Sequence, residues 1–185
     1  MGEIDDAIER ADREGFTRQP PKTLQARINF LIKQLKTTKA VAAEIGVSQR
    51  SVERYRRGER KHPPRAIAER IDAAVRARWQ PQVRRRRRKQ AATATGITVE
   101  TRARFGYTAP VGTTDDGRFR RLTVHLPPAY AQRLFDAREA GSSDREMRAI
   151  IAEGFKDVYF QDGGARAQGL SDVILNDIDY LDLDY

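Results

Sequence analysis

The chain has 185 residues, a formal net charge of +9 and no cysteine. That length fits one domain or two small ones, and the lack of thiols excludes disulfides, thiolate chemistry and the His/Cys zinc motifs. Residues 1–90 hold 24 Lys and Arg against 11 Asp and Glu, whereas residues 91–185 hold 11 against 15, so a polyanionic partner is expected for the first half only.

Along the chain, residues 3–14 carry Ile4, Ala7, Ile8 and Ala11 on one helical face, and the segment QPPK (19–22) breaks that helix. Thr23 is placed to cap a helix bearing Leu24, Ile28, Leu31, Ile32 and Leu35. A helix from Thr37 or Thr38 through Ile45, a turn at Gly46-Val47-Ser48 and a helix from Ser48 to about Arg57 follow. A fourth helix starts at Arg65, with Ile67, Ile71, Ala74, Val75 and Trp79 in period, and Pro81 ends it. The acidic, amphipathic start MGEIDDAIERADREGF is not a secretory signal. No apolar run is long enough to span a membrane, so a soluble cytoplasmic protein without a membrane partner is expected.

The pair of helices around Gly46 has the pattern of a helix-turn-helix. Ala42 is the small residue at the close approach, Gly46 the turn, and Val41, Ile45, Val47 and Val52 the packing set. Tyr55 is assigned to the core. The outward face of the second helix offers Gln49, Arg50, Glu53, Arg54 and Arg57. Arg suits guanine and Gln suits adenine in the major groove. Thr37, Thr38, Lys39, Arg56 and Arg60 suit phosphates. The same pattern also fits a plain three-helix bundle with a solvated charged face.

Six consecutive cations, Arg84, Arg85, Arg86, Arg87, Arg88 and Lys89, precede a small polar stretch. Mutual repulsion reads them as a linker, and phosphate neutralisation would add affinity without sequence choice.

The period then changes to two. Ile97, Val99, Thr101, Ala103 and Phe105 alternate with polar residues, as do Leu122, Val124 and Leu126, giving two strands around the loop 106–117. Helices follow from Pro128 through Ala140 and, behind a Ser143/Glu146 capping box, through Val158. Residues 171–185 hold five Asp and no Lys or Arg, interleaved with apolar residues. This run reads as a solvating tail, an edge strand, or a contact for a basic partner; folding back on the arginine run is a further option. The expected architecture is therefore α+β: a helix-turn-helix module (1–82), an arginine-rich linker (83–96), a small α+β module with a β-hairpin packed on two helices (97–163), and an acidic tail (164–185).

The loop GTTDDG (112–117) reads on its own as a turn, with Gly supplying positive φ and Asp and Thr satisfying the backbone. It also exposes a hydroxyl beside two carboxylates, and a hydroxyl is a weak nucleophile until activated. Arg102, Arg104, Arg118, Arg120 and Arg121 flank it, suited to a triphosphate or a single-stranded end, and Phe105, Tyr107 and Phe119 suit either base stacking or core packing.

Five blocks carry a wider resemblance: TTKAVAAEIGVSQRSVERY (37–55), RWQPQVR (78–84), TRARFGYTAPVGTTDD (101–116), LTVHLPP (122–128) and EGFKDVYFQDGG (153–164). With them the chain resembles the telomere-protecting terminal proteins of linear actinobacterial chromosomes and plasmids over nearly its whole length. The resemblance implies a protein joined covalently to the 5′ ends of linear DNA, whose threonine hydroxyl accepts the first deoxynucleotide and primes synthesis that fills the recessed end. It implies Thr114 as acceptor, Thr113 as fallback, and Asp115 and Asp116 as orienting groups. It implies no bound cofactor, but Mg²⁺ and a deoxynucleoside triphosphate for the reaction. Its partners would be the telomeric 3′ overhang, a DNA polymerase that supplies the catalysis, and a telomere-associated DNA-binding protein, with self-association known in the family. The chain would then be a primer rather than an enzyme, associated with the nucleoid at DNA ends. The rival readings are a helix-turn-helix transcription regulator and an architectural, nucleoid-type DNA-binding protein.

Overall fold

In the computed structural model, residues 2–108 and 118–185 are described. Contacts divide the chain into two units, one formed by Phe16–Gln82 and the other by the residues through Gly15 together with Val83–Tyr185. The fold is α+β, as the sequence predicts, but the units follow different boundaries.

The first unit is all-helical: α2 (Leu24–Leu35), α3 (Thr38–Ile45), α4 (Gln49–Arg57) and α5 (Arg65–Arg78). Ile28, Leu31, Val41, Ala42, Ile45, Val52, Tyr55, Ile71, Ala74 and Val75 form its core. The Arg27 guanidinium pairs with Asp72, and Arg78 reaches Glu44 at 3.0 Å, so α5 is tied to both α2 and α3. The ends of the unit are closed on each other. Trp79 Nε1 donates to the Arg18 carbonyl, Gln80 and Thr17 exchange two hydrogen bonds, and Trp79 meets Phe30 edge-on.

The second unit holds α1 (Glu3–Glu14), α6 (from Pro81, at the unit boundary, to Gln90), β1 (Ile97–Thr108), β2 (Arg118–Leu126), α7 (Pro128–Glu139), α8 (Asp144–Gly154) and β3 (Asp172–Asp184). The strands form one antiparallel sheet in the order β2-β1-β3. Ile97, Val99, Ala103, Phe105, Leu122, Val124, Leu126, Val173, Leu175, Leu181 and Leu183 face a core completed by α1, α7 and α8. Gly96 opens β1 at φ +72°, where a side chain would strike the Leu126 carbonyl. Among the described residues, no helix is long and apolar enough to cross a membrane.

Three expectations are corrected. Residues 3–14 do not belong with the helix-turn-helix: Ile4, Ala7, Ile8 and Ala11 are buried in the core of the sheet unit. The arginine run is not a linker. Pro81 ends one helix and starts the next, where its missing N–H costs nothing, and α6 continues through Gln90. The acidic run is not a separate tail; of the readings open for it the edge strand holds, and the apolar positions of 172–184 fill the core.

The physical reason for the first two lies in one charge network. Asp12 on α1 has a fully enclosed side chain. Arg88 binds it through Nη2 and, at 3.3 Å, Nε; the Tyr185 hydroxyl donates to it at 2.7 Å. Arg84 and Arg138 approach it to 3.9 Å. Arg84 also forks onto Glu9 at 3.4 and 3.3 Å, and Arg138 bridges Glu9 (2.8 Å) and Asp5 (2.5 Å). Arg87 donates to the Ala11 carbonyl at 2.8 Å and to that of Tyr185. Repulsion within a cation run presumes solvent. Here carboxylates on α1 neutralise Arg84 and Arg88, Asp184 on β3 meets Arg87 at 3.7 Å, and Arg85, Arg86 and Lys89 stay exposed.

Removing one partner from a buried ion network leaves an uncompensated charge. Asp12→Ala will therefore destabilise the sheet unit by about 3–5 kcal/mol in urea unfolding, whereas Arg85→Ala will stay within about 0.5 kcal/mol. Burial opposes ionisation of Glu9, but the Arg138 hydrogen bond and the Arg84, Arg138 and Arg88 charges outweigh it and hold its carboxyl below the ordinary value of 4.5. A lowered native value contributes stability that is present above 4.5 and lost as pH falls through the native value. Melting temperature measured against pH below 4.5 will fall less steeply in Glu9→Gln than in the wild type.

Candidate nucleic-acid interface

Two surfaces carry the candidate residues. The first is the helix-turn-helix of α3 and α4. Thr37 caps α3 by accepting from the Ala40 N–H at 3.0 Å, and Ser48 caps α4 by accepting from the Ser51 N–H at 3.2 Å. Gly46 takes φ +68°, and the Val47 N–H closes the end of α3 on the Ala42 carbonyl at 3.0 Å. Ala42 and Val52 lie in the core beneath this turn. Gln49 Nε2 donates to Thr38 Oγ1 at 2.9 Å, which joins the first residues of the two helices on one face.

Lys39, Gln49, Arg50, Arg54 and Arg57 are exposed, and Thr38 is half-buried. Arg54 and Arg57 share Glu59 at 3.6 and 3.5 Å; such exposed pairs are weak and salt-screened. Tyr55 lies in the core, as the sequence suggests. Counted by unit, the helical one holds 16 Lys and Arg against 5 Asp and Glu, and the sheet unit 19 against 21. Redrawing the boundaries raises the ratio of cations to anions in the helical unit and leaves the sheet unit near neutral, because the acids of α1 and the cations of α6 cancel within the same unit.

The second surface is the open face of the sheet. Helices cover one side of β1, and Arg102 and Arg104 project from the other. Arg102 pairs across the strands with Arg121 and Tyr180, and Arg104 with Phe119 and Asn176. Arg102 binds Asp179 at 2.6 Å and Arg104 meets Asp177 at 3.9 Å. These carboxylates come from a bulge: residues 177–179 are inserted opposite Ala103, with Asp177 at φ +43°. Thr101, buried in the core, fixes the register there by donating to the Tyr180 carbonyl at 2.7 Å.

Arg121 and the Tyr180 hydroxyl both donate to Glu100, at 2.6 and 3.0 Å, and hold its carboxyl below the usual range. Partial burial and the bond to Glu100 push the Tyr180 phenol up.

Of the aromatic candidates, Phe105 is core, packed on Phe155 and Phe160. Tyr107 is half-buried against Phe160. Phe119 alone of the three is exposed, at 55%. Arg118 is exposed, but Arg120 points to the core side, stacked over Tyr107 and Phe160 at 5.9 Å each; it does not share a face with Arg102 and Arg104. In α6, Arg84 is buried and Arg87 and Arg88 are engaged in the Asp12 network, so the run leaves three outward cations where six were expected. Thr113, Thr114, Asp115 and Asp116 lie outside the described residues; the segment that carries them joins β1 to β2. Among the described residues, no group of three or more histidines or carboxylates is placed to hold a metal ion.

The sequence reading missed Asn176, Asp177, Asp179 and Tyr180. The Asp–apolar alternation of 172–185 was their only signal, and it marks a strand without saying which strand it joins. No protein-family model, curated protein or solved structure matches this chain.

A side chain other than Gly or Asn in the left-handed region that Gly46 occupies is strained by about 1–2 kcal/mol. Gly46→Ala will lower the stability of the helical unit by that amount in chemical denaturation, and Gly46→Asn by less. Ser48→Ala, which removes the cap of α4, will cost about 1 kcal/mol.

Proposed function

We propose that this chain is a protein primer for the ends of linear DNA, in which the helical unit binds the duplex and the connection between β1 and β2 carries the acceptor hydroxyl. The observation that carries the DNA-binding part is the charge partition: a helix-turn-helix in a unit with 16 cations against 5 anions, joined to a unit with no cationic excess. The priming part rests on the Gly-Thr-Thr-Asp-Asp motif and on the sequence resemblance. The hairpin supports it, because β1 and β2 pair continuously from Ile97↔Leu126 to Phe105↔Arg118, so the motif-bearing connection leaves from one end of a regular ladder.

In this reading, Gln49 and Arg50 address base edges, while Thr38, Lys39, Arg54 and Arg57 address phosphates. Arg85, Arg86 and Lys89 add affinity without sequence choice. The Thr114 oxygen attacks the α-phosphorus of a deoxynucleoside triphosphate. An O–P bond to threonine forms, the bond to the β-phosphate bridge breaks, pyrophosphate leaves, and the hydroxyl proton passes to a base. Asp115 and Asp116 orient the hydroxyl, and Thr113 is the alternative acceptor. A partner DNA polymerase supplies Mg²⁺ and most of the catalysis. The 3′-OH of the attached nucleotide then primes synthesis along the 3′ overhang, to which a telomere-associated DNA-binding protein recruits the chain. Its place in the cell is the nucleoid, at DNA ends.

Incubation with one labelled deoxynucleotide, Mg²⁺ and a polymerase extract, followed by mass spectrometry, will find one deoxynucleoside monophosphate on Thr114. Thr114→Ala will abolish it; label that disappears only in Thr113→Ala moves the acceptor by one residue. Cellular DNA ends that come free on boiling in detergent would count instead for a transcription regulator or nucleoid protein. On duplex DNA, Arg50→Ala will weaken binding without unfolding the domain. The Arg85/Arg86/Lys89→Ala triple variant will flatten the slope of log affinity against log salt, by up to about 0.9 for each phosphate it no longer neutralises.

A further inference from the structure

Phe119 (55% exposed) and Ile174 (46%) are the exposed large hydrophobic residues among those described. Both lie on the uncovered side of the sheet, toward the same end, with Phe119 opposite Arg104 and Ile174 opposite Gly106. The Arg102 guanidinium stacks over the Phe119 ring at 5.8 Å, and on the next row the Arg121 guanidinium stacks over Tyr180 at 6.0 Å. Successive same-face rows are about 7 Å apart in a β-sheet. The surface is therefore an exposed ring, Phe119, and a half-buried one, Tyr180, one row apart on the two outer strands, each beneath a guanidinium that also pairs with a carboxylate, Arg102 with Asp179 and Arg121 with Glu100.

We propose that this face is a docking surface for single-stranded DNA, separate from the duplex-reading helix-turn-helix. The proposal deepens the reading of the chain as a protein acting at a DNA end and rests on it. Stacking on an exposed ring rewards unpaired bases, because duplex bases are already stacked on one another. Arg102 and Arg104 are occupied by Asp179 and Asp177, but each partner in these pairs is more than half exposed. Such pairs contribute little, and a phosphate presents the same acceptor oxygens to a guanidinium as a carboxylate does. The bulge carboxylates thus stand where backbone phosphates would sit, and binding exchanges one anion for another.

The test uses the full chain with a fluorescent oligo-dT of about 12 nucleotides and, separately, a duplex hairpin. Phe119→Ala will weaken oligo-dT binding by roughly tenfold and leave the hairpin affinity unchanged. Asp177→Asn with Asp179→Asn will tighten oligo-dT binding and steepen the fall of log affinity with log salt, because Arg102 and Arg104 are then free to neutralise phosphates. Wild-type chain that fails to bind oligo-dT overturns the proposal, as does equal binding by wild type and Phe119→Ala. A Phe119→Ala variant that shifts oligomeric state in light scattering, with oligo-dT binding intact, identifies the face as a protein contact and also overturns it. Nucleotide transfer to Thr114 is scored apart from these measurements. If transfer fails while Phe119-dependent binding holds, the priming reading falls and the surface stands; the converse result removes the surface alone.

Discussion

The second unit depends on one enclosed carboxylate. Asp12 sits among guanidinium groups from two helices and the phenol of Tyr185. An isolated charge in that position would be prohibitive, so the arrangement is stable only when every partner is present. This requirement propagates. Arg84 and Arg88 converge on Asp12 because residues 81–90 are helical, which sets i and i+4 about 6 Å apart on one face. Arg138 extends the same demand to α7. Tyr185 brings in the end of β3, where its ring also packs edge-on against Phe135. Asp12 and Tyr185, 173 positions apart in the chain, are thereby held to one geometry. Apolar packing of Ile4, Ala7, Ile8 and Ala11 supplies the bulk of the burial around them.

The same network explains where the positive charge is available. In the sequence, the arginine run is the strongest cationic feature, and it adjoins a helix-turn-helix. In the fold, Arg84 and Arg88 are spent on acids of α1 that the sequence places among the basic residues of the first ninety, and Arg87 on Asp184 and two backbone carbonyls. What remains outward is Arg85, Arg86 and Lys89. The cationic excess belongs to the helical unit, where Lys39, Arg50, Arg54 and Arg57 surround the capped start and outer face of α4. The cations open to solvent are therefore concentrated in that unit rather than in the arginine run.

Local signals were legible wherever local physics decides the outcome. The capped helices at Thr37, Ser48 and Ser143, the Gly46 turn and the alternation of β1 and β2 appear where the residues place them, although β1 runs on through Thr108 into the segment read as a loop. What could not be read is which core an amphipathic segment joins. Residues 3–14 have a clear apolar face, but periodicity carries no address, and the nearest core in sequence was the wrong one. The arginine run failed for a related reason: like charges repel in water, and only the tertiary partner removes the repulsion. The 172–184 segment showed both its strand period and its acidity. Its pairing with β1 required Thr101 and the three-residue bulge, neither of which leaves a sequence pattern.

Arginine–carboxylate pairs thus serve two ends in one unit, and burial decides between them. At Asp12 the side chain is fully enclosed and its partners are mostly buried, so the pairs cannot exchange for solvent or ligand without unfolding. On the open sheet, Arg102, Arg104 and their aspartates are more than half exposed. Solvent screens those pairs, and little is lost when one acceptor replaces another. Identical chemistry is structural where water is excluded and replaceable where it is not. The replaceable set is also the one arranged beside an exposed ring, on the side of the sheet that the helices of its unit leave uncovered.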